Sequence, residues 1–341
     1  MNIITRSYTV RFLTPAFLGD AEQNGAWRTP PFKALLRQWW RVAYVHGREP
    51  TAALVSQMRE SEGRLFGNAS LEANDDDRAA MRKTGHCRSL IRMRIEAVNG
   101  ADAWARGTQH GVAPLRDGLD TSYSWFGLIK RKDRFTKNSL PDRTGIKAPG
   151  AESERTLKLA VPESHVEEIE MTLRLIDNFG QAGSRARTGW GAIQIDGVKP
   201  YSTDELRTFS RDYTRCLVHD WAHALGSNRQ GLWVWESTPD FKDWAAALTK
   251  VAALRKEIRT SLKGPTDLRP LLGFADASRM PSPLRWRVFR TPEDDSLGVR
   301  VFALPHKIPA SAKKDSLNRH AETAWHSVTQ ILDDSWLSRV S

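Results

Sequence analysis

Five side chains between residues 33 and 44 combine positive charge with aromatic rings at helical spacing. Lys33, Arg37 and Arg41 recur at every fourth residue, and Trp40 and Tyr44 fall on the same side of the predicted helix. Such a face can bind phosphates through its cations and stack bases on its rings. The alternative is a solvated basic face, with Trp40 packed beneath a neighbouring loop. Residue types alone leave both interpretations open.

A glycine-rich loop, GSRARTGWG, occupies residues 183–191. Gly183 and Gly189 let the backbone approach a ligand and expose its N–H donors, and Arg185 and Arg187 add fixed charge. The loop lacks the GK[ST] of a P-loop and does not fit the dinucleotide-binding fingerprint. These features favour an anion-binding loop over a nucleotide-hydrolysing one. An ordinary connection between a helix and a strand is the alternative.

The segment RMPSPLRWRVFR begins at Arg279 and enters a predicted strand after two prolines. Arg285, Arg287 and Phe289 alternate along this strand and therefore share one face. A basic sheet face that carries an aromatic ring is a surface on which recognition folds lay RNA. The alternative is an exposed, solvated face. A basic tract at 130–137, KRKDRFTK, has the same two interpretations.

The sequence offers few groups for catalysis or metal binding. On a helix, His219 and His223 of HDWAH would share a face, but Asp220 replaces the glutamate of a zinc-hydrolase helix. Cys87 and Cys216 cannot form a CxxC or a four-thiolate zinc site. No GxSxG or Cys–His nucleophile motif is present. We therefore expect no catalytic residue, no metal site and no cofactor, with a metal held by the two histidines as the lesser alternative.

The elements that position these side chains follow a recognisable order in residues 1–196, roughly strand, helix, strand, strand, helix, strand. The predicted strands are 6–13, 88–98, 122–129, 155–161 and 190–196, and the predicted helices are 32–44 and 164–180. Ser164 and Glu167 have capping-box spacing, and Gly180 is expected to end its helix in the left-handed conformation. This order is the split βαβ arrangement of ferredoxin-like folds.

Residues 199–341 show more helical than strand periodicity. Ser202 and Glu205 form a second capping-box pattern that opens a helical stretch to about Leu225. The remaining predicted elements are a helix from Asp240, strands at 284–290 and 298–304, and a C-terminal helix whose inner face runs from Ala321 to Trp336. We therefore expect an α+β protein of two domains. They are 1–198, with a loop-rich insertion at about 70–155, and a helix-rich 199–341.

The charge balance favours a polyanionic partner. The 341 residues include 51 Lys plus Arg against 40 Asp plus Glu, a formal net charge of +11. Each phosphate that such a protein neutralises releases a condensed counterion. Residues 1–12 lack the apolar core of a signal peptide, and no stretch approaches the length of a membrane span. With only two cysteines, we expect a cytoplasmic protein that does not associate with a membrane.

These segments together resemble the RAMP superfamily of CRISPR RNA-binding proteins. Residues 12–41, FLTPAFLGDAEQNGAWRTPPFKALLRQWWR, are similar to the family's strand, its P-x-F-L-G turn and its R-x-P-x-x-K-x-x-L-R-x-W-W-R helix entry. LFG follows at 65–67, where such proteins usually have it. The loop at 183–191 and SRMPSPLRWRV at 278–288 resemble the glycine-rich signature and the C-terminal R-x-x-S-P-L strand entry. Within the superfamily, the chain resembles the first subunit of the type III-B Cmr effector complex.

The resemblance implies two ferredoxin-like (RRM-like) RAMP domains packed together, at one end of a guide-RNA-bearing filament of other subunits. It implies contacts with the 3′ part of the guide or with the guide–target duplex, and it assigns RNA cutting to other subunits. Arg28, Lys33, Arg37 and Arg41 carry over as RNA contacts through the helix entry. Ser184 carries over through the glycine loop, together with its two arginines.

We therefore interpret the chain as a non-catalytic RNA-binding subunit of an antiviral CRISPR ribonucleoprotein. The expected RNA-binding residues are Arg28, Lys33, Arg37, Trp40, Arg41, Tyr44, Gly183, Ser184, Arg185, Arg187, Gly189, Arg279, Arg285 and Arg287. One alternative is a metal-independent endoribonuclease that matures guide RNA, with His46 or His86 as its acid or base. Another is a metal-dependent hydrolase that uses His219 and His223.

Overall fold

The computed structural model describes residues 2–19, 25–69, 86–97, 128, 145–150, 153–275, 278–291 and 295–340. The helices described in the first half are α1 (Thr29–Val45), α2 (Ala52–Phe66) and α3 (Val166–Phe179). Its described strands are β1 (Ile3–Phe12), β2 (Asn68–Ala69), β3 (His86–Cys87), β4 (Arg92–Ala97), β5 (Glu154–Pro162) and β6 (Ile193–Asp196). Apart from residue 128, the predicted strand at 122–129 and the basic tract at 130–137 lie outside the described residues. So does most of the predicted insertion.

Four of these strands form one antiparallel sheet in the order β4-β5-β1-β6. β1 lies inside the sheet, with Ile3 opposite Pro162 of β5. Alternate residues of β5 are buried, among them Leu157, Leu159 and Val161, as a strand with one covered face requires. The strands predicted at 6–13, 155–161 and 190–196 are therefore confirmed, with shifted ends.

Helices α1 and α3 pack against this sheet. Leu36 of α1 and Leu173 of α3 share one apolar core with Val10 and Leu157 of the sheet. α1 confirms the helix predicted at 32–44, although it begins three residues earlier. α2 was not predicted, and it packs beside α1 on the side that carries the basic residues.

The ends of α3 differ from the prediction. Residues 163–165 form a 3-10 turn and α3 begins at Val166 without a side-chain cap, so the capping box predicted at 164–167 is not formed. Gly180 is extended, with φ of −72°, and not left-handed as predicted. A Cβ at this position would lie 2.5 Å from the carbonyl oxygen of Ile176. Close packing, and not backbone conformation, therefore favours glycine here.

The helices described in the second half are α4 (Thr203–Arg207), α5 (Tyr213–Cys216), α6 (Trp244–Ser261) and α7 (Ala321–Asp333). Its described strands are β7 (Ser210–Asp212), β8 (Leu225–Asn228), β9 (Gly231–Leu232), β10 (Val234–Glu236), β11 (Phe274–Ala275), β12 (Arg279–Met280), β13 (Leu284–Arg290), β14 (Leu297–Ala303) and β15 (Ser338–Arg339). The strands predicted at 284–290 and 298–304 are confirmed. They are the only strands predicted in this half, whereas nine are described in it.

The region after Ser202 departs furthest from the prediction. The capping box forms, with Ser202 N donating to Glu205 Oε2 at 2.8 Å and Glu205 N donating to Ser202 Oγ at 3.3 Å. However, α4 ends at Arg207, and the chain continues into the small sheet β7-β8-β9. The helix predicted to reach Leu225 is therefore absent. α7 also ends before Trp336, which is partly exposed.

The two halves repeat one arrangement of elements. The second half runs β10, α6, β13, β14, α7, β15, and its main sheet has the antiparallel order β13-β14-β10-β15. The first half runs β1, α1, β4, β5, α3, β6, with the order β4-β5-β1-β6. In both sheets the first strand of the unit lies between the third and the fourth, and the second strand is at an edge.

The sheet of the second half is covered on both faces. Trp286 and Val288 of β13 share a core with Leu248 of α6. On the other face, the ring of Phe302 in β14 lies 4.6 Å from Phe179 at the end of α3. This contact joins the two halves. Within the part of the chain that the structure describes, no helix is long and apolar enough to cross a membrane.

Candidate nucleic-acid interface

A cleft of about 660 Å³ lies where three parts of the chain converge. Its walls are the glycine-rich loop at 183–188, the C-terminal half of α6 and residues of the ranges 272–275 and 279–286. The sequence predicted the loop and the segment from 279 as two separate surfaces. The fold makes them opposite walls of one site.

The cleft is strongly basic. Its lining includes the arginines Arg185, Arg187, Arg255, Arg259 and Arg279, and no aspartate or glutamate is among the described residues that line it. Concave surfaces lined by one sign of charge concentrate counter-charged ligands, and guanidinium groups bind phosphate in pairs of hydrogen bonds. The arrangement therefore suits a phosphate-bearing ligand.

The glycine-rich loop is held along β13 almost as a further strand. Trp286 N donates to the carbonyl oxygen of Arg187 at 3.2 Å, and Thr188 pairs in parallel with Trp286. Arg185 has φ of 60°, a conformation that costs energy for a residue with a Cβ. At Gly183, with φ of 100°, a Cβ would meet a main-chain oxygen at 2.8 Å. The backbone conformation therefore fixes the points from which the side chains of Arg185 and Arg187 project.

Two of the five cleft arginines were not predicted. Arg255 and Arg259 lie one turn apart on α6, on either side of the buried Ile258. Residues spaced by four share one helix face. Two arginines spaced by four, next to the apolar stripe of the predicted helix, are the sequence pattern that would have identified them.

An aromatic ring stands at the outer wall of the cleft. Phe274 of β11 pairs with Met280 of β12, and the Nζ of Lys314 lies 4.7 Å from the centre of its ring. Arg279 follows on the same hairpin and is exposed. A half-buried ring among cations can stack a base while the cations bind the backbone.

The prediction that Arg285 and Arg287 form an exposed basic face was wrong. They are 5% and 3% exposed. Arg287 Nη1 donates to the carbonyl oxygen of Asn178 at 2.7 Å, and Nη2 donates to that of Ile193. Burial lowers the pKa of Arg287 to about 9. The face is covered because this sheet packs on the first half, where the carbonyl group of Asn178 near the end of α3 and that of Ile193 in β6 receive the cation.

The basic face of α1 does not line the cleft. Arg37 and Arg41 both donate to Glu62 of α2, which lies beside them. Trp40 is fully buried, with its ring centre 4.9 Å from that of the half-buried Tyr44. The prediction that Trp40 stacks bases from this face was therefore wrong, because α2 covers it.

Lys33 and Arg28 stand apart from this ion-pair cluster. Lys33 makes no ion pair with any described residue, and burial together with the charge of Arg37 lowers its pKa. Arg28 precedes the first turn of α1, and its Nε is buried without a partner. Trp39 lies in the core, as predicted. Phosphate contacts by Arg28, Lys33, Arg37 and Arg41 stay predictions.

A second cavity, of about 560 Å³, brings His46 together with His223. His46 Nε2 lies 2.9 Å from Thr208 Oγ1. Burial lowers the pKa of His223 to about 4. The rings of His219 and His223 are 4.9 Å apart. However, residues 217–221 form turns and bends and 222–223 have no regular structure, so the helical pair was predicted wrongly. Among the described residues, no three His, Cys, Asp or Glu side chains could hold a metal ion.

The chain is similar to known proteins in sequence and in fold. A family model described as the RAMP superfamily matches residues 9–194, more than half of the chain. The crystal structure of Cmr1 from Pyrococcus furiosus in its apo form is similar over 93% of each chain, with 18% sequence identity and a TM-score of 0.50. A cryo-EM structure of type III-B Cmr-beta, bound to cognate target RNA and AMPPnP in the presence of ssDNA, is matched over 96% of this chain and 100% of that chain. Its identity is 11% and its TM-score 0.47. No curated protein matches the chain.

Proposed function

Because the chain belongs to the RAMP superfamily, we propose that it is a non-catalytic RNA-binding subunit of a type III-B CRISPR effector complex. The resemblance of residues 12–41 to the first subunit of that complex supports this assignment. The likeness to Cmr1 supports the fold that it requires. In this role the chain contacts the 3′ part of the guide RNA, or its duplex with target RNA, beside other subunits of the complex.

The observation that carries the proposal is the cleft with five arginines and no acidic lining residue among those described. Its cations bind backbone phosphates, which are the same for every sequence, and the release of counterions drives the binding. Phe274 offers a stacking surface that accepts any base. Sequence specificity then comes from pairing between guide and target, and not from this chain.

We assign each half to one ferredoxin-like unit. The repeated element order and the repeated strand order of the two main sheets support this assignment. The glycine-rich loop of the first unit lies along the edge strand β13 of the second. The cleft therefore sits at the junction of the two units, and both must be folded for it to form.

RNA binding at two salt concentrations tests the proposal. The purified full chain should bind labelled single-stranded RNA, and the same RNA in duplex, with an affinity that falls steeply as salt rises. The double variant Arg255→Gln/Arg259→Gln should bind all sequences more weakly. Its plot of log K against log salt for single strands should be shallower by about 1.4, the expected contribution of two phosphate contacts.

A matched control is Arg207→Gln. Arg207 is an exposed arginine of α4 that pairs with Asp204 and does not line the cleft. This variant should bind as the wild type does. Binding that is indifferent to salt, or equal losses in the control and in the double variant, would contradict the proposal.

One observation supports the endoribonuclease alternative: His46 and His223 line the same cavity. A pair of histidines can act as acid and base on a phosphodiester. His86, the other candidate, lies on β3 and does not line this cavity. RNA recovered uncut from the binding reactions would favour the binding subunit. Discrete products that disappear with His46→Ala would make the nuclease the leading function.

A further inference from the structure

Arg285 carries a charge in the interior without a partner. Its side chain is 5% exposed. The guanidinium makes no hydrogen bond or ion pair with any residue that the structure describes, and its Nε is buried without a partner. It lies over the ring of Trp39, with 5.9 Å from Cζ to the ring centre, which is the outer limit of a cation–π contact. A buried cation in this state costs stability until an anion joins it.

Arg187 brings a second positive charge to the same place. The hydrogen bond from Trp286 N to the carbonyl oxygen of Arg187 fixes the loop beside Arg285 on β13. Arg187 also lines the arginine cleft, whereas Arg285 lies in the interior and does not line it. No acidic side chain within the described ranges pairs with either guanidinium. Burial and the charge of Arg187 together lower the pKa of Arg285 well below its ordinary range.

The neighbouring His306 does not supply the missing negative charge. It is largely buried, and burial, with smaller contributions from the charges of Arg285 and Arg187, lowers its pKa to about 4. It is therefore neutral at pH 7 and can serve as a hydrogen-bonding neighbour only. The site as folded has two repelling cations and a neutral imidazole.

Arg287 is a buried arginine on the same strand, but its guanidinium has the hydrogen-bond partners that Arg285 lacks. Arg287 lies two residues further along the same face of β13 and is just as buried. Its guanidinium donates to two main-chain carbonyl groups, so its role is to join the halves. Arg285 has no such partners, and a structural role does not account for its charge.

We propose that Arg187 and Arg285 bind one phosphate group at the inner end of the cleft. The proposal rests on the proposed function in so far as that phosphate belongs to the RNA backbone. A dianionic phosphate would neutralise both guanidiniums, and a monoanionic phosphodiester would offset one of the two charges; either would give each guanidinium a charge-assisted hydrogen bond. It would fix the position of one nucleotide relative to the junction of the two halves, while the other cleft arginines follow the chain on either side.

The test compares thermal unfolding of the full chain with and without inorganic phosphate. In phosphate-free buffer at low salt, Arg285→Met should unfold at a higher temperature than the wild type, because the variant removes an unpaired buried charge and keeps the volume. Inorganic phosphate should raise the Tm of the wild type, since a ligand of the folded state stabilises it. It should leave the Tm of Arg285→Met unchanged.

Arg287→Met is the matched control on the same strand. It should lower the Tm, because it removes two hydrogen bonds that join the halves, and it should keep the response to phosphate. Arg187→Met provides a second variant, at a partly buried position, that should lose the response. If Arg285→Met is less stable than the wild type in phosphate-free buffer, or if phosphate raises both Tm values equally, the proposal is overturned.

RNA binding separates the two sources of phosphate. If the group belongs to the backbone, Arg285→Met should make the plot of log K against log salt about 0.7 shallower for single-stranded RNA. A normal slope in a variant that has lost the response to inorganic phosphate assigns the site to free phosphate. A wild type that responds to phosphate without binding RNA contradicts the proposed function and leaves this site intact. RNA binding without any response of the Tm to phosphate contradicts this site and leaves the proposed function intact.

Discussion

Glu62 of α2 accepts two hydrogen bonds from the guanidinium of Arg41 on α1, at 2.6 Å from Nε and 2.8 Å from Nη2. Arg37 adds a third, at 2.9 Å from its Nε. Burial alone would raise the pKa of Glu62, but the hydrogen bonds and charges of Arg41 and Arg37 outweigh it, so the pKa is lowered. The basic face of α1 therefore has a role inside the protein, where it joins α1 to α2 through a buried carboxylate.

Replacing Glu62 with Gln should destabilise the fold. The variant keeps the shape but removes the charge that Arg37 and Arg41 share. Both arginines are partly exposed, so we expect a loss of about 2 kcal/mol rather than the full value of a buried pair. Urea and thermal unfolding measure it. Glu60→Gln on the same helix removes a partly exposed pair with Arg64 and should cost less than about 0.5 kcal/mol; equal losses would contradict the role of Glu62.

Lys33→Gln should weaken RNA binding without weakening the fold. Lys33 has no ion pair within the described part of the chain, and its pKa is lowered by burial and, to a smaller extent, by the charge of Arg37. Affinity should fall several-fold for every RNA sequence, and the salt plot for single strands should be shallower by about 0.7. Filter binding at two salt concentrations measures both. Lys199→Gln, an exposed lysine elsewhere, should change neither, and an unchanged slope for Lys33→Gln would exclude this face from the interface.

Neighbouring tryptophans show how far helix periodicity could be used for prediction. Trp39 lies on the apolar stripe of α1, and its burial was predicted. Trp40 lies about 100° further round, on the basic face, and would be exposed on α1 alone. It is buried because α2 packs over that face. α2 has few apolar residues at helical spacing, so neither the helix nor the cover it provides was predicted.

Strand β13 shows that alternation along a strand, like periodicity along a helix, does not predict which face another element covers. Alternation correctly separated Trp286 and Val288 from Arg285 and Arg287, but alternating cations usually mark a face in water. The carbonyl group of Asn178 that receives Arg287 is 109 residues away in the sequence. Local patterns contain no information on such partners. They therefore predicted three of the five cleft arginines, but not that Arg285 and Arg287 would be buried.

Gly191→Ala should disrupt the glycine-rich loop far more than Gly197→Ala. Both glycines have positive φ, 62° and 81°, so alanine costs about 1 kcal/mol in backbone strain at either. At Gly197 a Cβ meets nothing within 4 Å. At Gly191 it would collide with the carbonyl oxygen of Ala182, and overpacking of this kind adds about 2 kcal/mol.

Unfolding in urea measures the two costs. The displaced loop should also move Arg185 and Arg187, so Gly191→Ala should bind RNA more weakly under conditions where it remains folded. Gly197→Ala should bind as the wild type does. Similar costs in the two variants would show that the loop can relax around a Cβ.

The stability of the fold should fall as the pH is lowered from 6.5 towards 4.5. His223 and His306 are largely buried, and burial, the largest cause in each case, lowers the pKa of both to about 4. An unfolded chain protonates the same side chains near their ordinary value of about 6.5. Between these values the unfolded state binds more protons than the folded state does, so the free energy of unfolding rises with pH and falls on acidification.

This contribution is fully present above the unfolded pKa and is lost as the pH approaches the folded one. A shift of this size corresponds to about 3 kcal/mol for each histidine. Carboxylates with lowered pKa values, such as Glu62, contribute stability that is lost only below about 4.5. The histidines should therefore dominate the interval above that pH. Urea unfolding from pH 7.5 to 4.5 should show the decline, and His223→Gln should make it shallower. His326→Gln, on the exposed side of α7, should leave the decline unchanged, and a decline that is the same in all three proteins would contradict the assignment to buried histidine.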